Sequence, residues 1–139
     1  MERKKQKRKA FTLIELLVVI IILSMLAAFT APKLFKYVGK SKRDLAKPKL
    51  VLVEGAIERF ALDCGQYPEG LEALLVAPSG LEERWTGPYL KASQLLDPWD
   101  NPIIYVGEGE INPGSFDLIS LGADGVEGGE GDAEDIFNE

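Results

Sequence analysis

The chain has 139 residues, 46% of them hydrophobic, and a formal net charge of −6. It contains no His, which excludes His-based acid–base catalysis, Ser-His-Asp triads and His metal sites, and its lone Cys64 excludes an intramolecular disulfide. With no internal repeat, there is room for one domain beyond a single apolar helix.

Residues 1–10 carry six cations, Arg3, Lys4, Lys5, Lys7, Arg8 and Lys9, against one acid, Glu2. Phe11 to Ala31 follows as 21 residues with a single charge, Glu15. As a helix this stretch is about 31 Å long, close to the thickness of a bilayer core, and it reads as a membrane-crossing segment. A secretory signal fits poorly, because the apolar run is too long and no small-x-small triplet closes it before Pro32. The dense N-terminal cations favour an N-in, C-out orientation, although seven more lie between Lys33 and Lys49. Glu15 stands out, since a carboxylate in such a segment costs about 2.5–3.5 kcal/mol and needs a partner. One reading places it at the membrane surface, where the helix N-terminal dipole favours it.

From Lys33 to about Asp63 the chain reads as a continuing helix. Leu50, Val53, Ile57, Phe60 and Ala61 recur at three- and four-residue spacing and define one face for a core. Pro32 predicts a kink or a locally unwound stretch, and Pro48 a second break. Gly65 is a candidate C-cap, and Cys64 a small buried apolar residue.

Residues 64–102 read as loop with short helical pieces, including two turns over Gly70–Leu75. Two short runs, Ile103–Val106 and Phe116–Ser120, read as strands joined by a hairpin loop over Gly107–Gly114. One hairpin is marginal alone, so it must pack on the Leu50–Ala61 stripe. The expected fold is therefore α+β, a long N-terminal helix laid against a small antiparallel sheet.

Ser120 to Asp135 holds five Gly and six acids in sixteen residues. Composition alone allows a disordered acidic tail. The alternative is a hard-cation loop, since Ca²⁺ takes six to eight oxygen ligands and glycines let carbonyls turn inward. The spacing is neither an EF-hand nor a repeated glycine-rich array. Asp124 and Asp132 are the leading candidate side-chain ligands, with Asp135 a third and the carbonyls of Leu121 and Val126 completing the shell.

Several of these motifs occur together and in order. They are Lys9-Ala10-Phe11 with Glu15, Asp63-Cys64-Gly65-Gln66-Tyr67-Pro68, Gly70-Leu71-Glu72-Ala73-Leu74, Gly87-Pro88-Tyr89-Leu90, Asp97-Pro98-Trp99-Asp100-Asn101-Pro102 and Phe116 to Gly125. The set resembles the major pseudopilins of type II secretion systems, within the type IV pilin-like superfamily. It departs from the family at Ala10, Cys64 and Asp100, where Gly, Asn and Gly are usual, at Pro48, and at Asp132-Ala133-Glu134-Asp135.

The resemblance implies cleavage of a leader, residues 1–10, between Ala10 and Phe11 by a prepilin peptidase, with methylation of the new amine. It implies an assembly helix over residues 11–32, with a proline at its end, and a periplasmic domain over residues 33–139. That domain comprises the helix continuation 33–63, a loop region 64–102, and a sheet with calcium loop 103–139. Glu15 would pair with the Phe11 amine of a neighbouring subunit. The implied function is structural and non-enzymatic. Subunits wait in the bacterial inner membrane, are extracted by an assembly ATPase and platform protein, and join minor pseudopilins in a helical periplasmic homopolymer. That filament drives folded proteins through an outer-membrane channel, and calcium is the implied cofactor.

The alternatives are a type IV pilin, which often closes its C-terminal region with a disulfide, and a membrane-anchored calcium-binding module. A glycosidase would need two carboxylates facing a groove, which nothing marks. Without residues 1–10 the chain has 10 Lys+Arg against 21 Asp+Glu, net −11, which argues against nucleic acid as a partner.

Overall fold

The structure, a computed structural model, describes residues 11–138. The chain divides after Tyr37 into two compact units. Helix α1 (Leu13–Cys64) begins in the first and continues into the second. The remaining elements are strands β1 (Ile104–Val106), β2 (Asp117–Ser120) and β3 (Ile136–Phe137), with single 3₁₀ turns at Leu71–Leu74, Ala92–Leu95 and Gly131–Ala133.

In the first unit the helix is long and apolar enough to cross a membrane, and its large side chains are exposed from Leu13 to Phe29. The expected unwinding at Pro32 and break at Pro48 are absent, because residues on both sides of each proline remain helical. A proline removes only its own N–H from the ladder, and the bonds of the adjacent turns keep the helix continuous.

In the second unit Ala46, Leu50, Val53, Ile57, Phe60 and Cys64 alternate by four and three residues and are all buried. This spacing puts one stripe of α1 against the rest of the core. Of the expected face only Ala61 is partly exposed. Each fully buried Leu, Val, Ile or Phe here contributes roughly 1.5–3 kcal/mol. Opposite the stripe lie Leu71, Leu74, Leu90, Ile103, Phe116, Leu118 and Ile136. The Phe60 and Tyr89 rings meet edge-on at 5.9 Å, as do Tyr67 and Phe116 at 5.3 Å. The helix ends where Gly65 takes φ +79° and its N–H reaches the Ala61 carbonyl at 2.8 Å. That left-handed cap suits glycine. Burial raises the pKa of the Cys64 thiol, with the Asp63 charge adding to it, so Cys64 is an inert core residue.

The sheet has the order β1-β2-β3, antiparallel throughout, with Ile104 opposite Ile119 and Ser120 opposite Ile136. The hairpin is as expected. The segment after β2 departs from the reading of an open tail, because the chain returns through β3 to pair with β2 on its free side. The glycine-rich loop therefore lies between two strands instead of after the last one. The stretch over Gly70–Leu75 forms one 3₁₀ turn where two turns were expected.

Polar side chains tie the turns to the sheet. Buried Asp97 accepts the N–H groups of Trp99 and Asn101 on Oδ1, both at 2.9 Å, and the Ser120 hydroxyl on Oδ2 at 2.7 Å. Within that turn Asp100 has φ +70°, the left-handed region that favours glycine, which accounts for glycine at this place in the resembling family.

Candidate assembly and cation sites

At the start of α1, the Thr12 N–H donates to Glu15 Oε2 at 2.9 Å and the Thr12 hydroxyl donates to the same oxygen at 3.1 Å. The Glu15 N–H donates back to Thr12 Oγ1 at 3.3 Å. This is a capping box, which satisfies N–H groups that the first turn leaves without partners. Sequence reasoning passed over Thr12, although Thr-x-x-Glu at the edge of an apolar run is its signature. Phe11 is exposed beside it. Ala10, the other residue of the expected cleavage site, lies outside the described residues.

The loop between β2 and β3 is held at several points. The Ala123 N–H donates to the Asp132 carbonyl at 2.8 Å, the Asn101 side-chain amide donates to the Gly122 carbonyl at 2.7 Å, and the Gly128 N–H donates to Asp135 Oδ2 at 2.9 Å. Arg43 reaches over from α1, its guanidinium donating to the Gly131 carbonyl and pairing with the Glu134 carboxylate. The Asp132 carboxylate lies against Gly39 so closely that a Cβ there would overlap it.

Of the five expected metal ligands, Asp124 sits at the exposed apex with Oδ1 accepting the Val126 N–H at 3.1 Å, and Leu121 is half-buried near the base. Asp135 is half-buried, with its Oδ2 taken by the Gly128 N–H. Its Oδ1 is buried and has no hydrogen-bond partner. Among the described residues no three acidic or Cys side chains converge as a metal-binding group. The residues that shape the loop but escaped the sequence reading are Arg43 and Asn101.

A helix bearing an exposed apolar half and a half that packs on a small antiparallel sheet, with a fastened acidic loop between the last two strands, defines a pilin-like architecture. The family model described as type II secretion system protein G matches residues 33–139, and the prokaryotic N-terminal methylation motif matches residues 5–31. The chain belongs to the type II secretion system protein G family. It is 40% identical to the type II secretion system core protein G of Vibrio cholerae serotype O1, covering 98% of this chain and 94% of that protein. Identity to the core protein G of Pseudomonas aeruginosa is also 40%, with 99% and 98% covered. Against the crystal structure of the major pseudopilin from the type 2 secretion system of enterohaemorrhagic Escherichia coli, the TM-score is 0.56 at 26% identity, covering 71% of this chain and 87% of that one.

Proposed function

We propose that this chain is a structural, non-catalytic subunit that polymerises into the periplasmic pseudopilus of a type II secretion system and drives export of folded proteins. The observation that carries the reading is that a methylation motif and the protein G match occupy one chain, joined by an apolar helix with Glu15 at its start. Before assembly the helix lies in the inner membrane with its cationic end cytoplasmic and the second unit periplasmic. A prepilin peptidase cuts between Ala10 and Phe11, and the platform protein, assembly ATPase and minor pseudopilins build the filament. Mass spectrometry of the membrane-extracted chain is expected to find a mature N-terminus at Phe11, carrying one methyl group. An intact Met1 or a cut near Ala31 overturns the reading.

The loop is proposed to hold calcium. Its donors are all oxygens, which suits a hard cation, and the buried Oδ1 of Asp135 lacks the partner that a buried carboxylate requires. Asp124, Asp132 and Asp135 would hold the ion with the carbonyls of Leu121 and Val126. The bound ion would neutralise their charge. Binding to the folded form alone stabilises it by about 2.7 kcal/mol at a hundredfold excess over Kd. The full-length chain in detergent is thus expected to melt several degrees lower in EGTA than in calcium, and Asp124→Ala or Asp135→Ala should remove most of that difference. A melting temperature indifferent to EGTA refutes the calcium site.

A further inference from the structure

Arg43 pins the acidic loop to one face of α1, and a different face of the same helix carries a groove. Lys42, Leu45, Pro48 and Lys49, with Pro98 from the Asp97 turn, line an open cavity of about 480 Å³. Leu45 is 60% exposed, so the groove offers apolar surface between two lysines. At 3.6 residues per turn, Lys42, Leu45 and Lys49 point on average roughly 130° away from Arg43 around the helix. The loop that Arg43 holds is therefore on the wrong side to fill the groove of its own chain.

The same loop presents a feature of matching character. Val126 is 62% exposed at its apex, between the acids Asp124 and Glu127, and its N–H is fixed by the Asp124 carboxylate. An apolar side chain already held in a turn loses little freedom on docking. We propose that the Lys42–Lys49 groove receives Val126 and Glu127 of a second copy of this chain. Val126 packs on Leu45, Pro48 and Pro98, and Glu127 meets the ammonium group of Lys42, while Lys49, whose ammonium donates to the Asp97 carbonyl at 3.4 Å, adds positive charge at the far side of the groove. Knob and groove lie at separate places on the chain, so the contact is head-to-tail, the class of contact from which open filaments are built when the rotation between copies does not close. The inference rests on the reading of the chain as a filament subunit. Ile111, directly after Glu108 and Glu110 on the hairpin, is a competing knob, and it is less exposed at 44%.

The test is cysteine cross-linking in filaments of the full-length chain, with buried Cys64 left in place. Leu45→Cys combined with Val126→Cys is expected to give a ladder of disulfide-linked multimers under mild oxidation, and neither single variant should. Both sites are exposed, so neither substitution threatens the fold. Lys42→Glu and Glu127→Lys should each lower filament yield about fivefold by setting like charges together, and the double charge swap should restore it. No ladder from intact filaments, a ladder with Ile111→Cys instead of Val126→Cys, or no rescue by the swap overturns the contact. If the unsubstituted chain forms no filaments at all, the filament reading itself fails and the contact with it.

Discussion

Glu15→Val is expected to leave the chain in the membrane and to reduce its entry into filaments about a hundredfold, the equivalent of roughly 2.8 kcal/mol. Removing the carboxylate spares the cost of holding it in lipid, so anchoring does not suffer. What would be lost is the proposed counter-charge for the Phe11 amine of a neighbouring subunit, which would then enter the helix bundle unpaired. The capping box provides a rival explanation, because Glu15 also holds the Thr12 N–H and hydroxyl. Glu15→Gln separates the two. Glutamine serves a capping box nearly as well as glutamate but cannot neutralise an amine. Filaments counted after shearing should be lost from both variants if charge pairing governs assembly. Normal yield from Glu15→Gln would show that the cap suffices.

The second large effect belongs to Asp117, which is 3% exposed at the start of β2. Its Oδ2 accepts the N–H groups of Glu110 and Ile111 at 2.7 and 2.9 Å, and its Oδ1 accepts the backbone and side-chain N–H of Asn112, both at 2.9 Å. Burial pushes the carboxyl up, but these bonds outweigh it and hold its pKa below the ordinary carboxylate value. In Asp117→Asn an NH₂ replaces one oxygen and faces two donors whichever way the amide turns. The expected loss is about 3 kcal/mol, or roughly 10 °C or more in Tm. Because the folded pKa is depressed, the stabilisation is present above the unfolded value near pH 4 and is lost as pH falls through the folded one. The variant should therefore lack part of the acid sensitivity of the parent between pH 4 and lower values. Equal melting of the two proteins at pH 7 would remove Asp117 from the account of stability.

Local periodicity and turn chemistry made most of the fold legible. The heptad-like stripe of α1, the Gly65 cap and the hairpin strands follow from residues close in sequence, whose spacing states which face is buried. β3 escaped because two residues, Ile136 and Phe137, carry no period, and only their pairing with β2 makes them a strand. Arg43 escaped because its partners lie 88 and 91 residues away. Asp97 and Asp117 look like ordinary turn acids until the backbone donors that surround them are in place. The prolines misled for the opposite reason. Each is a strong local signal, but one missing N–H is small beside the tertiary packing of the turns that follow Pro48. At the candidate sites, Glu15 was conspicuous as the one charge in an apolar run, while its Thr12 partner required a capping motif to be recognised.

The small sheet bears on how copies of this protein stay apart until they are meant to meet. Its outer strands, β1 and β3, span three and two residues. Such short borders give an incoming strand almost no ladder to extend, so crowding of like chains does not favour amyloid-like β growth. Neighbours are left to join by side-chain contacts such as the one proposed between the helix groove and the acidic loop, which need no strand of either copy to open.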